Sequence, residues 1–431
     1  MLLPLTNTPR PYAWGSVTAL ASLQGRERTG LPEAELWLGD HPGSPATVGD
    51  GTGRTLDAWL ADSGAQPLPY LLKVLAAAAP LSLQVHPSAE QGAAGFAREN
   101  ALGLALDAPE RNYRDPCHKP EVIVALSEEF RALCGFRPLE TTRRLLHALQ
   151  TPGDASARAV ASLLEMLSGG PGGDADGVGG AAEDADGAGT DGAGGADADA
   201  AAIGRTVRWL LSQAGPDVVG GIEDAIVASA AMATSATAAA ATEAAAATEF
   251  APELANARAL AEVYPGDPGV AVSLLMNFVV LRAGEALWLP AGNLHAYMSG
   301  LGVELMAASD NVLRGGLTPK HIDVDELLRV LDTHALVHPR ITPVRGTSPE
   351  IDVFAPGIPD FELLRVRVAG APVPIVLRGT AVALATEGTL TIRSISGETV
   401  RIRSGEALLL SGETEVEVAG VGELFVAQAG A

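Results

Sequence analysis

The sequence predicts a mainly β protein interrupted by an α-helical insertion. Three observations carry that prediction. Residues 1–138 and 263–345 consist of short apolar runs, several alternating with period two, cut by Pro and Gly. Between them, 139–262 changes to apolar residues at three- and four-residue spacing. Beyond 345, short Val/Leu/Ile runs return at the spacing of a small all-β sandwich or barrel.

Bulk properties bound the function. The 431 residues suffice for two or three domains with a substantial core. A formal net charge of −23 at pH 7 argues against nucleic-acid binding, because phosphate backbones would be repelled over most of the surface. Any anionic substrate must then meet a local positive pocket. Two cysteines, Cys117 and Cys134, make no disulfide framework and suit a reducing compartment. The opening MLLPLTNTPRPYAWG lacks the basic end and continuous apolar core of a secretory signal. No run is both long and apolar enough to span a bilayer; the alanine-rich stretch near 225–248 is too weakly apolar. The expectation is a cytoplasmic monomer with no membrane or nucleic-acid partner.

In chain order, residues 1–60 read as strands and tight turns around Tyr12-Ala13-Trp14-Gly15 and Ala34 to Pro42. His41, beside Pro42, fits either a structural turn or a site. Leu81 to Pro87 alternates with period two, which puts Ser82, Gln84 and His86 on one strand face. That face looks either into a barrel, where an amide oxygen and an imidazole converge, or into water. Val122 to Leu126 is a good strand with Lys119-Pro120-Glu121 at its mouth. Solvation alone explains poorly a glutamate flanked by proline at the entry to an apolar strand. Cys117-His118 has the look of a metal pair, but neighbours on an extended chain point to opposite faces, so Cys117 is set aside.

Helical periodicity follows in TTRRLLHALQ, ARAVASLLEML and IGRTVRWLLSQA, and the alanine-rich 222–262 is also read as helical. Gly169 to Ala202 is Gly, Ala and Asp with only acidic charge; it buries too little apolar surface to offset its ordering entropy, which predicts disorder. Its DADG-like pieces lack the closing Glu and regular spacing of a calcium loop. The turn cluster Tyr264 to Gly269 marks the return to strands. Val270 to Leu281 is apolar with ambiguous period, and Asp323 to Leu331 is a short amphipathic helix.

Leu287 to His321, LWLPAGNLHAYMSGLGVELMAASDNVLRGGLTPKH, concentrates chemistry. A strand stops at Pro290-Ala291-Gly292, and His295 then offers a lone pair to a metal. Val303 to Met306 alternates as another strand, and Asp310, Asn311, Arg314, two glycines and Lys320 crowd behind it. Gln84, His86, Glu121 and His295 thus lie on three strand-like segments. Two nitrogens and two oxygens suit zinc and accept other divalent ions, with Gln the least usual ligand. The long spacing matches no compact metal motif, so the residues alone leave a structural His/Glu set as the alternative.

The strings QVHPSAE at Gln84, HKPE at His118, LPAGNLHAY at Leu289 and ELMAASDNVLRGGLTPKH at Glu304, with YAWG and AELWLGDHP, resemble type I mannose-6-phosphate isomerases (phosphomannose isomerases). The match runs along about 1–140 and 264–335 in the same order; the acidic and alanine-rich parts of the insertion have no counterpart in it. The resemblance implies cupin-like β-barrels or jelly rolls plus a helical domain. The metal-binding domain would be 1–138 with 263–345, the insertion 139–262 with its disordered loop at about 169–202, and a small β-barrel 346–431. One Zn2+ per chain would be held by Gln84, His86, Glu121 and His295, with Arg314 as the active-site arginine. Lys119, Glu304, Tyr297 and Lys320 would line the pocket, with Ser82 at its edge.

The implied reaction is the reversible interconversion of mannose 6-phosphate and fructose 6-phosphate through an enediol, serving mannose activation to GDP-mannose or mannose catabolism. Glu304 is the first choice for the acid–base residue and Lys119 the second. The structural alternative for Glu304 is a partner for Arg314. Two rival functions share these residues: a non-catalytic metal- or sugar-binding cupin, and an isomerase of another phosphorylated sugar.

Overall fold

The computed structural model describes residues 1–149, 155–169, 193–234 and 249–431. Two antiparallel sheets of 10 strands each dominate it, as the period-two runs predict. The first is built on the strand His295–Ala307. Its first half pairs with Leu83–Val85 and Phe130–Phe136, its second with Tyr70–Ala77 and Glu121–Ala125. Gly300 marks the change of partners. It adopts φ 127, and a Cβ there would stand 2.9 Å from Phe130 Cα, so only glycine lets the strand pass so close. Tyr70–Ala77 and Glu121–Ala125 are buried along their whole length. That is why they read as continuous apolar runs: both of their faces are covered.

The second sheet holds the strands after residue 344, including the long pair Ala381–Ser394 and Glu415–Gln428. The first strand of the chain, Leu2–Thr6, joins it by pairing with Ala407–Leu410, and Thr47–Val48 pairs beyond. An apolar core containing Leu5, Leu72, Val122, Leu305, Leu384 and Phe425 lies between the sheets.

The insertion supplies the helices Leu139–Ala148, Ala155–Leu167, Ala193–Ser212, Pro216–Thr234 and Ala251–Val263. Their buried Leu145, Leu163, Val207, Ile222 and Leu260 share one core with Leu83, Val85 and Leu294 of the first sheet. The expected disorder of Gly169 to Ala202 is corrected for its last part, because Ala193 to Ala202 opens a helix. Alanine has the highest helix propensity, and Ala200 and Ala202 are buried there. The rest of that loop, 170–192, and the alanine run 235–248 lie outside the described residues. The ambiguous Val270 to Leu281 resolves into the end of helix Pro268–Ser273 and the strand Met276–Leu281. Among the described residues no helix is long and apolar enough to cross a membrane.

Candidate metal centre

Adjacent strands of the first sheet bring the predicted ligands together. Gln84 sits opposite His295 on one side and Arg314 on the other, His86 comes two residues later, just past the end of that strand, and Glu121 opens its own strand. The ligand atoms of His86, Glu121 and His295 all lie within 4.8 Å of one another, and all three residues are buried. Glu121 stands between the imidazoles, with Oε1 3.2 Å from His86 Nε2 and Oε2 3.4 Å from His295 Nε2. The opposite ring nitrogens are engaged: Nδ1 of His86 donates to the Asn311 carbonyl at 2.7 Å, and Nδ1 of His295 to the Asn293 carbonyl at 3.0 Å. A carbonyl only accepts, so each ring carries its proton on Nδ1 and turns the Nε2 lone pair into the cluster.

Among the described residues His86 Nε2 is buried without a hydrogen-bond partner, an arrangement that a protein interior rarely tolerates. A divalent cation satisfies it. Two imidazole nitrogens and a carboxylate fit zinc, and Gln84 lines a chamber beside Glu121 and His295. The Gln84 amide nitrogen donates to Ser82 Oγ at 3.4 Å.

The electrostatics agree with ligation. Burial, aided by the Lys119 cation, pushes His86 down to about 4, so the ring is neutral with its lone pair free at pH 7. Burial alone would raise the Glu121 carboxyl, but Lys119, whose Nζ is 2.9 Å from Oε1, holds it well below the carboxylate range. Beside this cluster lies a second buried ion pair. Lys73 Nζ is 3.2 Å from Glu304 Oε2 and 4.0 Å from Glu35 Oε2, and Glu35 also accepts the Trp37 indole N–H at 2.6 Å. Burial works to discharge Lys73, but Glu35 and Glu304 hold its pKa above the ordinary value. Burial raises Glu304 against the pull of Lys73, with Glu121 and Glu35 adding to the rise.

Two neighbouring spaces adjoin the cluster. An inner chamber of about 60 Å³, room for little more than water, is lined by Gln84, Glu121, His295, Tyr297 and Glu304. Through Lys73, Gln84 and Lys119 it shares walls with an outer cavity of about 550 Å³, a size suited to a small metabolite. Ser82, Arg111, Arg114, Arg314 and Lys320 line the outer cavity, a cationic patch in a chain of net charge −23. Burial and the neighbouring Arg114 depress the Arg314 pKa, and among the described residues Arg314 has no salt-bridge partner.

The sequence-predicted residues therefore divide. Ser82, Gln84, Lys119, Arg314 and Lys320 reach the outer cavity. Tyr297, expected at the substrate, lines only the inner chamber, because its ring packs edge-on against Phe130 at 5.3 Å. Glu304 pairs with Lys73 and not with Arg314, so the alternative partner is corrected. His41 is a core histidine, edge-on to Trp37 and 3.6 Å from Asp310. Cys117 is exposed and outside the cluster, as its exclusion anticipates.

Lys73 escapes the sequence reading although a signal exists: a lysine in the middle of YLLKVLAA, a strand with no exposed residue. Asn311, named in the sequence only as one of the crowded polar residues, has a structural task. Its side chain accepts Arg114 N–H at 2.7 Å and donates to the carbonyls of Asp115 and Cys117 at 2.8 Å each, which fixes the loop before Glu121.

Comparison with known proteins agrees with this geometry. Residues 2–139 match the family model of the phosphomannose isomerase type I catalytic domain. The mannose-6-phosphate isomerase of Escherichia coli (strain K12) is 32% identical over 436 residues, covering 97% of each chain. The Homo sapiens mannose-6-phosphate isomerase is 28% identical over 446 residues, covering 97% of this chain and 95% of that one. A crystal structure of mannose 6-phosphate isomerase from Salmonella typhimurium, bound to substrate (f6p) and zinc, superposes with a TM-score of 0.80 at 30% identity, covering 100% of both chains.

Proposed function

The chain belongs to the mannose-6-phosphate isomerase family, and from that membership we propose that it interconverts mannose 6-phosphate and fructose 6-phosphate with one zinc ion bound per chain. One observation carries the reading. The buried His86–Glu121–His295 cluster lies behind Lys119 and Gln84, which line a cation-rich cavity of about 550 Å³.

His86, Glu121, His295 and Gln84 are the ligands in this reading. Zinc held there supplies a Lewis acid for the sugar oxygens. Aldose–ketose isomerisation moves a proton between C1 and C2, through an enediol, and needs a carrier for it. Acid–base work falls to Lys119 and Glu304. Lys119 lines both chambers and so stands between Glu304 and a sugar in the outer cavity. Burial holds the Glu304 carboxyl above its ordinary value, which suits a group that takes and returns a proton. Arg314 and Lys320 face the same cavity as cations; the phosphate dianion and the negative charge that develops on oxygen are what they complement. Tyr297 backs the ligands from the inner chamber.

In the same reading the site-bearing unit is 1–138 with 263–345, the insertion 139–262 supports it from behind, and 346–431 is a β unit whose sheet is completed by Leu2–Thr6 and Thr47–Val48. The net charge of −23 supports a protein without nucleic-acid partners, and we take it to act as a cytoplasmic monomer. A coupled assay on mannose 6-phosphate tests the function. Turnover should vanish with chelator and return with zinc. Zinc-loaded, folded protein that turns over no mannose 6-phosphate would remove the reading.

A further inference from the structure

One carboxylate outside the metal cluster ties together the segments behind the outer cavity. Asp267 Oδ1 accepts the Gly269 N–H at 2.7 Å and so caps the helix Pro268–Ser273, while Oδ2 accepts the Thr318 N–H at 3.1 Å. Thr318 lies within the loop that joins Arg314 to Lys320, and all three line the cavity. That loop takes a form its sequence does not favour. Leu317 is buried at φ 55, the one residue other than glycine in the left-handed region among the described residues. Gly316 presses on the helix start so closely that a Cβ on it would stand 2.6 Å from Gly269 Cα. The turn is anchored on its other side, where Glu223 accepts the Gly266 N–H at 2.8 Å and the Tyr264 hydroxyl donates to the Pro80 carbonyl at 3.0 Å.

We propose that Asp267 is a positioning residue: by latching Thr318 it holds the loop so that Arg314 and Lys320 present their charges to the phosphate of the substrate. The inference rests on the function proposed above. It goes beyond a helix cap, because one oxygen suffices for the cap and the second is spent on the loop.

Asp267→Asn and Asp267→Ser separate the two roles. Both residues keep an oxygen for the Gly269 N–H, but asparagine turns a donor toward the Thr318 N–H and serine is too short to reach it. Expected in both are rises of about tenfold or more in KM for mannose 6-phosphate and in the inhibition constant of inorganic phosphate. Zinc content and melting temperature should stay near wild type. KM and phosphate inhibition within about twofold of wild type would overturn the proposal. So would loss of zinc or of cooperative melting in both variants, since Asp267 would then be a residue of the fold. Calorimetric binding of inorganic phosphate to wild type and variants reads the latch without turnover. If wild type does not isomerise mannose 6-phosphate, the function fails. If wild type and variants bind phosphate equally, the latch fails.

Discussion

Lys73 Nζ lies 3.2 Å from Glu304 Oε2, and solvent reaches less than a tenth of either side chain. Two charges so far from water are tolerated only together. Lys73→Met leaves Glu304 buried without its cation and should cost about 3–5 kcal/mol in urea unfolding. Glu35, whose Oε2 lies 4.0 Å from Lys73 Nζ, is stranded as well, so adding Glu304→Leu should recover only part of that loss. Strictly additive losses would show that the pair does not stabilise itself.

Ligation and charge stabilisation predict opposite readouts on the two strands that flank Leu83–Val85. His295→Ala removes an Nε2 that faces Glu121 at 3.4 Å and should lose zinc on metal analysis. Arg314→Ala removes a cation from the cavity wall and should keep zinc while turnover falls about tenfold to a thousandfold. Full zinc in the first variant strikes His295 from the site; zinc loss in the second shows that the role of Arg314 is misassigned.

Much of this arrangement is legible in the sequence, and the rest fails for identifiable reasons. Period-two alternation places Gln84 and His86 on one face because a strand has no other way to present them, and both do meet the cluster. Lys73 is overlooked because an all-buried strand has no alternation against which a polar residue stands out. The Glu304 partner lies 231 residues away in sequence, across a strand pairing that local pattern does not encode. The expectation of disorder fails for Ala193 to Ala202 because composition averages over Gly, Ala and Asp, whereas the helix from Ala193 is secured by tertiary burial of Ala200 and Ala202.

Tyr297 carries a buried hydroxyl with no hydrogen-bond partner among the described residues, and burial beside Glu304 and Glu121 pushes its pKa up, so it stays a neutral phenol. Tyr297→Phe removes an unsatisfied donor and should leave stability unchanged or raise it by about 1 kcal/mol. KM should also hold, because the ring lines only the inner chamber. A rise in KM of about tenfold would instead put the hydroxyl on the sugar.

His118 Nε2 meets Asp360 Oδ1 at 3.0 Å, joining the loop before Glu121 to the segment that follows residue 345. This hydrogen bond raises the imidazole pKa against the opposing pull of burial. A histidine bound more tightly when protonated adds stability that is fully present below its ordinary pKa of about 6.5 and is lost as pH rises through the raised value. Wild type should therefore melt above His118→Asn at pH 6, and the gap should close as the pH is taken upward from about 6.5. Because both side chains are partly exposed, the gap should be modest and should shrink further in high salt. Melting temperatures of the two proteins across that range decide the matter: a gap independent of pH would mean that the contact does not depend on the imidazolium charge.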